Sequence, residues 1–258
     1  MHEQARVQRP REAVITVTDL TLAFGDFVIQ KDLNFTINRG DIFIIMGGSG
    51  CGKTTLMKHL VGLIRPDRGN VCFGDTDFWN AGEAEQERVK RRFGVMFQGG
   101  ALWSSLTLGE NIGLPLHEYT DLGQGEIDDI VAFKLSLVGL SGYQEFYPSE
   151  LSGGMKKRAS LARAMALDPE ILFFDEPGAG LDPFNSRRLD ELILQLRDSL
   201  GTTIVIVSHE LASILAIGNN SVFLDEERRT MIDSGNPSVL IDHSPEAKVR
   251  AFLRREEF

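Results

Sequence analysis

The sequence predicts an α/β fold: a mainly parallel sheet core, joined to an antiparallel β subdomain and carrying an inserted helical lobe. Three observations carry this. Continuous apolar runs of strand length at 41–46, 171–174 and 203–207 alternate with helical stretches, the order that covers both faces of a parallel sheet. Two alternating apolar/polar runs, 14–24 and 27–37, flank Gly25-Asp26 and read as an antiparallel hairpin. Residues 99–154 depart from both patterns, with glycine, proline, a helical period over about 127–138 and little strand character.

In chain order, residues 1–12 are expected to be a flexible tail. After the hairpin, the run at 41–46 reads as a buried strand, followed by a glycine-rich turn and a helix over about 53–61. Residues 71–73 and 93–97 read as further strands, 155–167 as a helix, and 183–200 as another. Short strands and one or two helices finish the chain. A single domain is expected over 13–245, with a C-terminal helix over 246–258.

The chain has 258 residues, of which 42% are hydrophobic and 25% charged, ample for one soluble domain with a sizeable core. No apolar run approaches the roughly 20 residues of a membrane-spanning helix. The polar N-terminus lacks the apolar stretch of a secretory signal. A formal charge of −10 gives no global electrostatic reason for a nucleic-acid partner. Lys90-Arg91-Arg92 reads as a solvated helix face, and Lys156-Lys157-Arg158 is a second local cluster. Cys51 and Cys72 suggest neither a disulfide nor a metal site.

Gly47-Gly48-Ser49-Gly50-Cys51-Gly52-Lys53-Thr54 fits G-x-x-x-x-G-K-[ST], between a predicted strand and a predicted helix. Glycines let the backbone bend and aim N–H groups at phosphate oxygens, and the helix N-terminus adds partial positive charge. Lys53 can reach the β- and γ-phosphates, the Thr54 hydroxyl can ligate Mg²⁺, and Thr55 continues the loop into the helix. Cys51 reads as a small filler. Its position predicts that alkylation blocks nucleotide binding and that bound ATP protects the thiol.

The apolar run 171–174 ends in Asp175 and Glu176. Adjacent carboxylates at the end of a buried strand are costly unless they have a task. Asp175 can hold Mg²⁺, directly or through water, and Glu176 can point to the other side and polarise an attacking water. His209 follows the next predicted strand, at the sheet edge where parallel sheets bind ligands. A γ-phosphate contact and a structural role are both open to it.

Leu151-Ser152-Gly153-Gly154-Met155 precedes the helix at 155–167. Ser152 can cap that helix, and Gly153 and Gly154 expose N–H groups to an anion. With the motifs before and after it, this run resembles the signature of the ABC ATPases, usually LSGGQ. The resemblance covers about residues 14–240. It implies that ATP with Mg²⁺ is the ligand and that Ser152, Gly153 and Gly154 grip the γ-phosphate of ATP held by a second copy, packed head-to-tail. Phe24 matches the aromatic that stacks on adenine, and also reads as a plain strand residue. Gln98 matches the glutamine that senses Mg²⁺ and the attacking water, Asp182 the aspartate facing the other subunit, and His209 the switch histidine.

Met155 replaces the usual glutamine. The run Leu151-Ser152-Gly153-Gly154-Met155-Lys156-Lys157-Arg158 and the segment Phe97-Gln98-Gly99-Gly100-Ala101-Leu102-Trp103 are similar to the ATPases of MCE-type lipid transporters, the Mla group. That resemblance implies phospholipid cargo moving between the inner membrane and a periplasmic MCE protein, with the chain peripheral on the cytoplasmic face. It also implies an integral membrane permease and a small STAS-domain protein as partners. A coupling helix of the permease would enter a groove by Gln98, Leu102, Trp103 and Leu106, which also read as packing within the lobe. Three other readings stand beside it: an ABC importer of another solute such as an amino acid, a soluble non-transport ABC ATPase, and a P-loop kinase.

Overall fold

The structure, a computed structural model, describes residues 12–256. The first eleven residues of the expected tail and the last two of the expected C-terminal helix lie outside them. Glu12, counted with the tail, is tied down: its carboxylate accepts two hydrogen bonds from Arg39 at 2.8 and 2.9 Å.

Strands β1 (Ala13–Phe24) and β2 (Phe27–Asn38) pair antiparallel. β3 (Ile42–Gly47) then enters the core, and α1 (Lys53–Leu60) follows its loop. β4 (Arg68–Phe73) and the two-residue β5 (Thr76–Asp77) complete a four-stranded sheet of order β2-β1-β4-β5. β4 starts earlier than the apolar run at 71–73 because β1 offers it antiparallel partners as far back as Arg68. A short helix, α2 (Glu83–Lys90), precedes β6 (Phe93–Met96).

The insertion carries α3 (Leu108–Tyr119), α4 (Gln124–Leu137) and a 3-10 turn at Pro148–Glu150. No period announces α3, which contains Gly109, Gly113 and Pro115. Its start is fixed instead by a capping box, in which the Glu110 N–H meets Thr107 and the Thr107 N–H meets Glu110. Its buried face, Leu108, Ile112 and Leu116, packs with Ile127, Val131 and Leu135 of α4 in the core.

α5 (Gly153–Ala164) leads to β7 (Ile171–Asp175), α6 (Pro183–Leu200), β8 (Thr203–Val207) and α7 (Leu211–Ile217). Then come β9 (Asn220–Asp225), β10 (Thr230–Ser234), α8 (Pro237–His243) and α9 (Ala247–Arg254). The second sheet has six strands in the order β10-β9-β3-β8-β7-β6, parallel except for β10 at its edge.

The central strands are buried along their whole length, as expected when helices or a second sheet cover both faces. Alternation then divides their side chains between two cores. Ile44, Phe174 and Ile206 join the helical side, while Ile45, Phe173 and Val205 join α1 and the antiparallel sheet. Parallel strands put their C-terminal ends on one edge. The loop after β3, the acids after β7 and the histidine after β8 therefore meet there.

Candidate active site

A cleft of about 640 Å³ opens at that edge, lined by the loop Gly47–Thr55, Glu176 and His209, with Phe252 of α9 on its wall. Gly47, with φ 143°, could carry no side chain, because a Cβ would lie 2.3 Å from the Leu224 carbonyl oxygen on β9. Gly52, with φ 96°, sits against Ile29 in the same way, at 2.6 Å. The loop is thus bent tightly onto its neighbours while Ser49 and Gly50 stay exposed at the cleft. Lys53 is buried and curls back, donating to the carbonyl oxygens of Gly47 at 3.0 Å and Gly48 at 2.7 Å.

Cys51 points the other way. Its side chain is 1% exposed, within the core shared by α1 and the antiparallel sheet, and burial raises its thiol pKa. This burial fits the reading of Cys51 as a small filler. Cys51 is absent from the cleft lining, and its carbonyl accepts from the Gln30 amide.

Thr54 donates its hydroxyl to Asp175 Oδ1 at 3.0 Å, across 121 residues of sequence. Asp175 is 3% exposed, and burial pushes its carboxyl above the usual range. The Thr54 bond offsets part of that, and neighbouring Glu176 adds to it. A divalent cation would offset both the burial and the repulsion. A hydroxyl beside a carboxylate is the hard oxygen donor set that suits Mg²⁺. Among the described residues, no group of three His, Cys, Asp or Glu side chains could hold a metal alone. A cation between Thr54 and Asp175 would need further ligands from outside this pair.

Glu176 has φ 52°, in the left-handed region, a conformation that costs a non-glycine residue about 1 kcal/mol or more. Its N–H still donates to Val207 on β8 at 2.9 Å, so the backbone turns out of the sheet after its last ladder bond. The turn brings the carboxylate to His209, whose Nδ1 lies 2.7 Å from Oε1 and 2.6 Å from Oε2. Glu176 is mostly enclosed, at 13% side-chain exposure, whereas His209 stands out at 64%.

Gln98 lies in the exposed loop after β6, outside the cleft lining. One face of α5 holds this loop. Lys157 donates to the Gln98 carbonyl at 2.5 Å and to that of Glu176 at 3.4 Å, and Arg163 donates to Ala101 at 2.5 Å. Between them, Ser160 fills the space a Cβ on Gly100 would need, its Oγ 2.4 Å away. Burial lowers the Lys157 pKa, with the Glu176 and Asp175 charges working against it. Lys157 is a link that sequence reasoning missed. The only available signal is the i, i+3, i+6 spacing of Lys157, Ser160 and Arg163.

Ser152 caps α5, its Oγ accepting from Met155 N at 3.3 Å. Ser152 and Gly153 are exposed and lie outside the cleft lining. Gly154 faces Asn185, 3.3 Å from where its Cβ would be. Asn185 in turn bonds Asp182, which caps α6 by accepting from the N–H groups of Phe184 at 3.0 Å and Asn185 at 3.1 Å. The signature run and Asp182 thus form a second exposed surface apart from the loop after β3. Phe24 is 56% exposed at the hairpin end and does not line the cleft. In the lobe, Leu102 packs inward against the core and Trp103 is 59% exposed.

A family profile described as ABC transporter matches residues 30–179. The chain is 42% identical over 211 residues to the probable ribonucleotide transport ATP-binding protein mkl of Mycobacterium bovis, covering 82% of this chain but only 59% of that relative's length. It is 37% identical over 240 residues to the intermembrane phospholipid transport system ATP-binding protein MlaF of Escherichia coli, covering 93% of this chain and 88% of MlaF. Among solved structures, a dimeric ATP-binding cassette in a post-hydrolysis state with ADP and Pi matches with a TM-score of 0.77 at 26% identity, over 86% of this chain and 98% of that one. Profile, relatives and superposed fold agree with one another, and the chain belongs to the ATP-binding proteins of the ABC transporter family.

Proposed function

We propose that this chain binds and hydrolyses ATP in a head-to-tail pair of copies and powers lipid transport, with phospholipid as the cargo. One observation carries the ATPase reading: a single cleft unites the loop Gly47–Thr55, the Thr54–Asp175 contact and the Glu176–His209 pair. Loop N–H groups and Lys53 hold the phosphates, Lys53 leaving its carbonyl partners to do so. Thr54 and Asp175 would hold Mg²⁺, with Gln98 as a further ligand from the loop after β6. The ion's chemistry is charge neutralisation on the phosphate oxygens. His209 orients the Glu176 carboxylate through Nδ1, leaving Nε2 for the γ-phosphate, and Glu176 polarises the attacking water. Phe24 would stack on adenine beyond the cleft wall.

Ser152, Gly153, Gly154 and Asp182 lie on a separate surface, so they serve the site only from a second copy. The dimeric relative bound to ADP and Pi supports that arrangement. ATP then stabilises the closed pair, and hydrolysis releases it.

The cargo reading is supported by the near end-to-end alignment with MlaF. Among the described residues no helix is long and apolar enough to cross a membrane, and the proposed path runs through a separate permease. Its coupling helix would dock beside exposed Trp103. A periplasmic MCE protein and a STAS-domain protein complete the proposed assembly. A ribonucleotide cargo is the second reading, favoured by the name of the mycobacterial relative. Purification of the assembled complex from its own membranes, followed by mass spectrometry, decides between them. Bound phospholipid with an MCE protein is the expected result, and a complex that holds a solute-binding protein and no phospholipid would overturn it.

A further inference from the structure

The C-terminal helix supplies part of the cleft wall. Val249 and Leu253 of α9, one turn apart, are buried at 0% and 2% exposure and fix the helix to the core. Phe252, beside them, lines the same cleft as the loop after β3, Glu176 and His209. Every other residue of that lining is a glycine or carries a polar side chain. The Phe252 ring meets Phe223 edge-on, with centroids 5.1 Å apart, and Phe223 is the β9 partner of Met46, one residue before the loop glycines.

A continuous set of contacts joins the helix to that loop. The Gln30 amide, fully buried, donates to the carbonyls of Cys51 at 2.8 Å and Asp225 at 2.9 Å. The Asp225 carboxylate, 2% exposed, accepts from the N–H groups of Glu227 and Arg228 and pairs with Lys248 of α9 at 2.7 Å. Arg228 adds a second tether to Glu246 at 2.9 Å. A buried carboxylate that loses its cation is costly, so Lys248 strongly favours the docked helix.

We propose that α9 is a nucleotide-coupled wall of the site, in which Phe252 contacts bound nucleoside triphosphate and the Lys248–Asp225 pair holds it in place. Occupancy of the cleft and docking of the helix then stabilise each other, because coupling between two equilibria is reciprocal. This rests on the reading of the cleft as the ATP site. Lys248 is a positioning residue, acting through Phe252 and the loop.

Two measurements on the full chain test it. Hydrogen exchange over 247–254 is expected to slow when ATPγS and Mg²⁺ are added, and unchanged or faster exchange would overturn the proposal. Phe252→Ala and Lys248→Ala are each expected to raise KM for ATP about fivefold or more with kcat little altered. Phe252→Tyr and Lys248→Arg should restore it, which general loss of fold would not produce. Variants with wild-type KM would overturn the inference alone. Failure of the wild-type chain to bind ATPγS would overturn the ATP-site reading with it.

Discussion

Nδ1 of His209 lies between both carboxylate oxygens of Glu176, at 2.7 and 2.6 Å, although 33 positions separate the two residues. Consecutive parallel strands make this possible: β7 and β8 are neighbours, and each ends just before one member of the pair. A histidine that holds a carboxylate proposed to polarise the attacking water would act with it as one unit, and residues of one unit lose their effects together. Glu176→Gln is expected to lower ATP turnover by about 10²–10⁴-fold while ATP binding persists and the closed pair of copies accumulates. His209→Ala should fall in the same direction. The double variant should fall no further than the worse single one. Steady-state phosphate release and size-exclusion with ATP measure all three. Multiplicative losses would show that the two residues act separately.

Lys157 joins the loop after β6 to the turn after β7 through two carbonyl groups, those of Gln98 and Glu176. Removing it frees Gln98 from α5 and loosens the backbone that carries Glu176. Lys157→Ala is expected to reduce kcat about tenfold, or about 1.4 kcal/mol of barrier, with ATP affinity nearly retained. Hydrogen exchange around Gln98 should rise in the same variant. Lys157→Arg can reach the same carbonyls and should keep most of the activity. Unchanged kcat together with unchanged exchange would remove Lys157 from the site.

These residues show where sequence reasoning succeeds and where it stops. The apolar run ending at Met46 and the glycines after it state their own geometry, because a buried strand and a loop without side chains leave few alternatives. Asp175, Glu176 and His209 are legible as strand ends, and parallel topology then brings them together. Lys157 is not legible, since a lysine on an amphipathic helix has the same spacing whether it meets water or a carbonyl. α3 is hidden by Pro115 and two glycines, its tertiary packing overriding weak local propensity. Phe252 in the cleft depends on how α8 and α9 fold back over β9, a long-range arrangement that no local period encodes.

The Cys51 thiol is buried and its pKa is raised by that burial. Thiolate and access are both needed for alkylation. N-ethylmaleimide added to the native protein is therefore expected to modify Cys72, which is only partly buried, before Cys51. Cys51 should react once urea unfolds the chain. Peptide mass spectrometry of samples quenched over time reads both rates. Prompt labelling of native Cys51, prevented by ATP, would show instead that the thiol is reachable from the cleft.

Asp190 of α6 lies behind the turn Pro177-Gly178, in a small enclosed space shared with Ser213 and Glu210. Burial pushes its carboxyl up to about 6. The Ser213 hydroxyl, 2.8 Å away, offsets part of this, and the nearby Glu210 and Glu191 charges add to it. The folded chain thus binds this proton more tightly than the unfolded chain, whose aspartates titrate near 3.9. The stability gained from that difference is fully present below about pH 4 and is lost as pH rises through about 6. Asp190→Asn keeps an oxygen acceptor for Ser213 and removes the charge. Its stability relative to wild type should therefore rise between about pH 4 and 6 and level off above 7. The change should be on the order of 1–2 kcal/mol once solvent screening of a partly exposed group is allowed for. Urea unfolding of both proteins across pH 4 to 8 measures it. A stability difference that does not vary with pH would show that Asp190 keeps an ordinary carboxyl pKa in the folded chain.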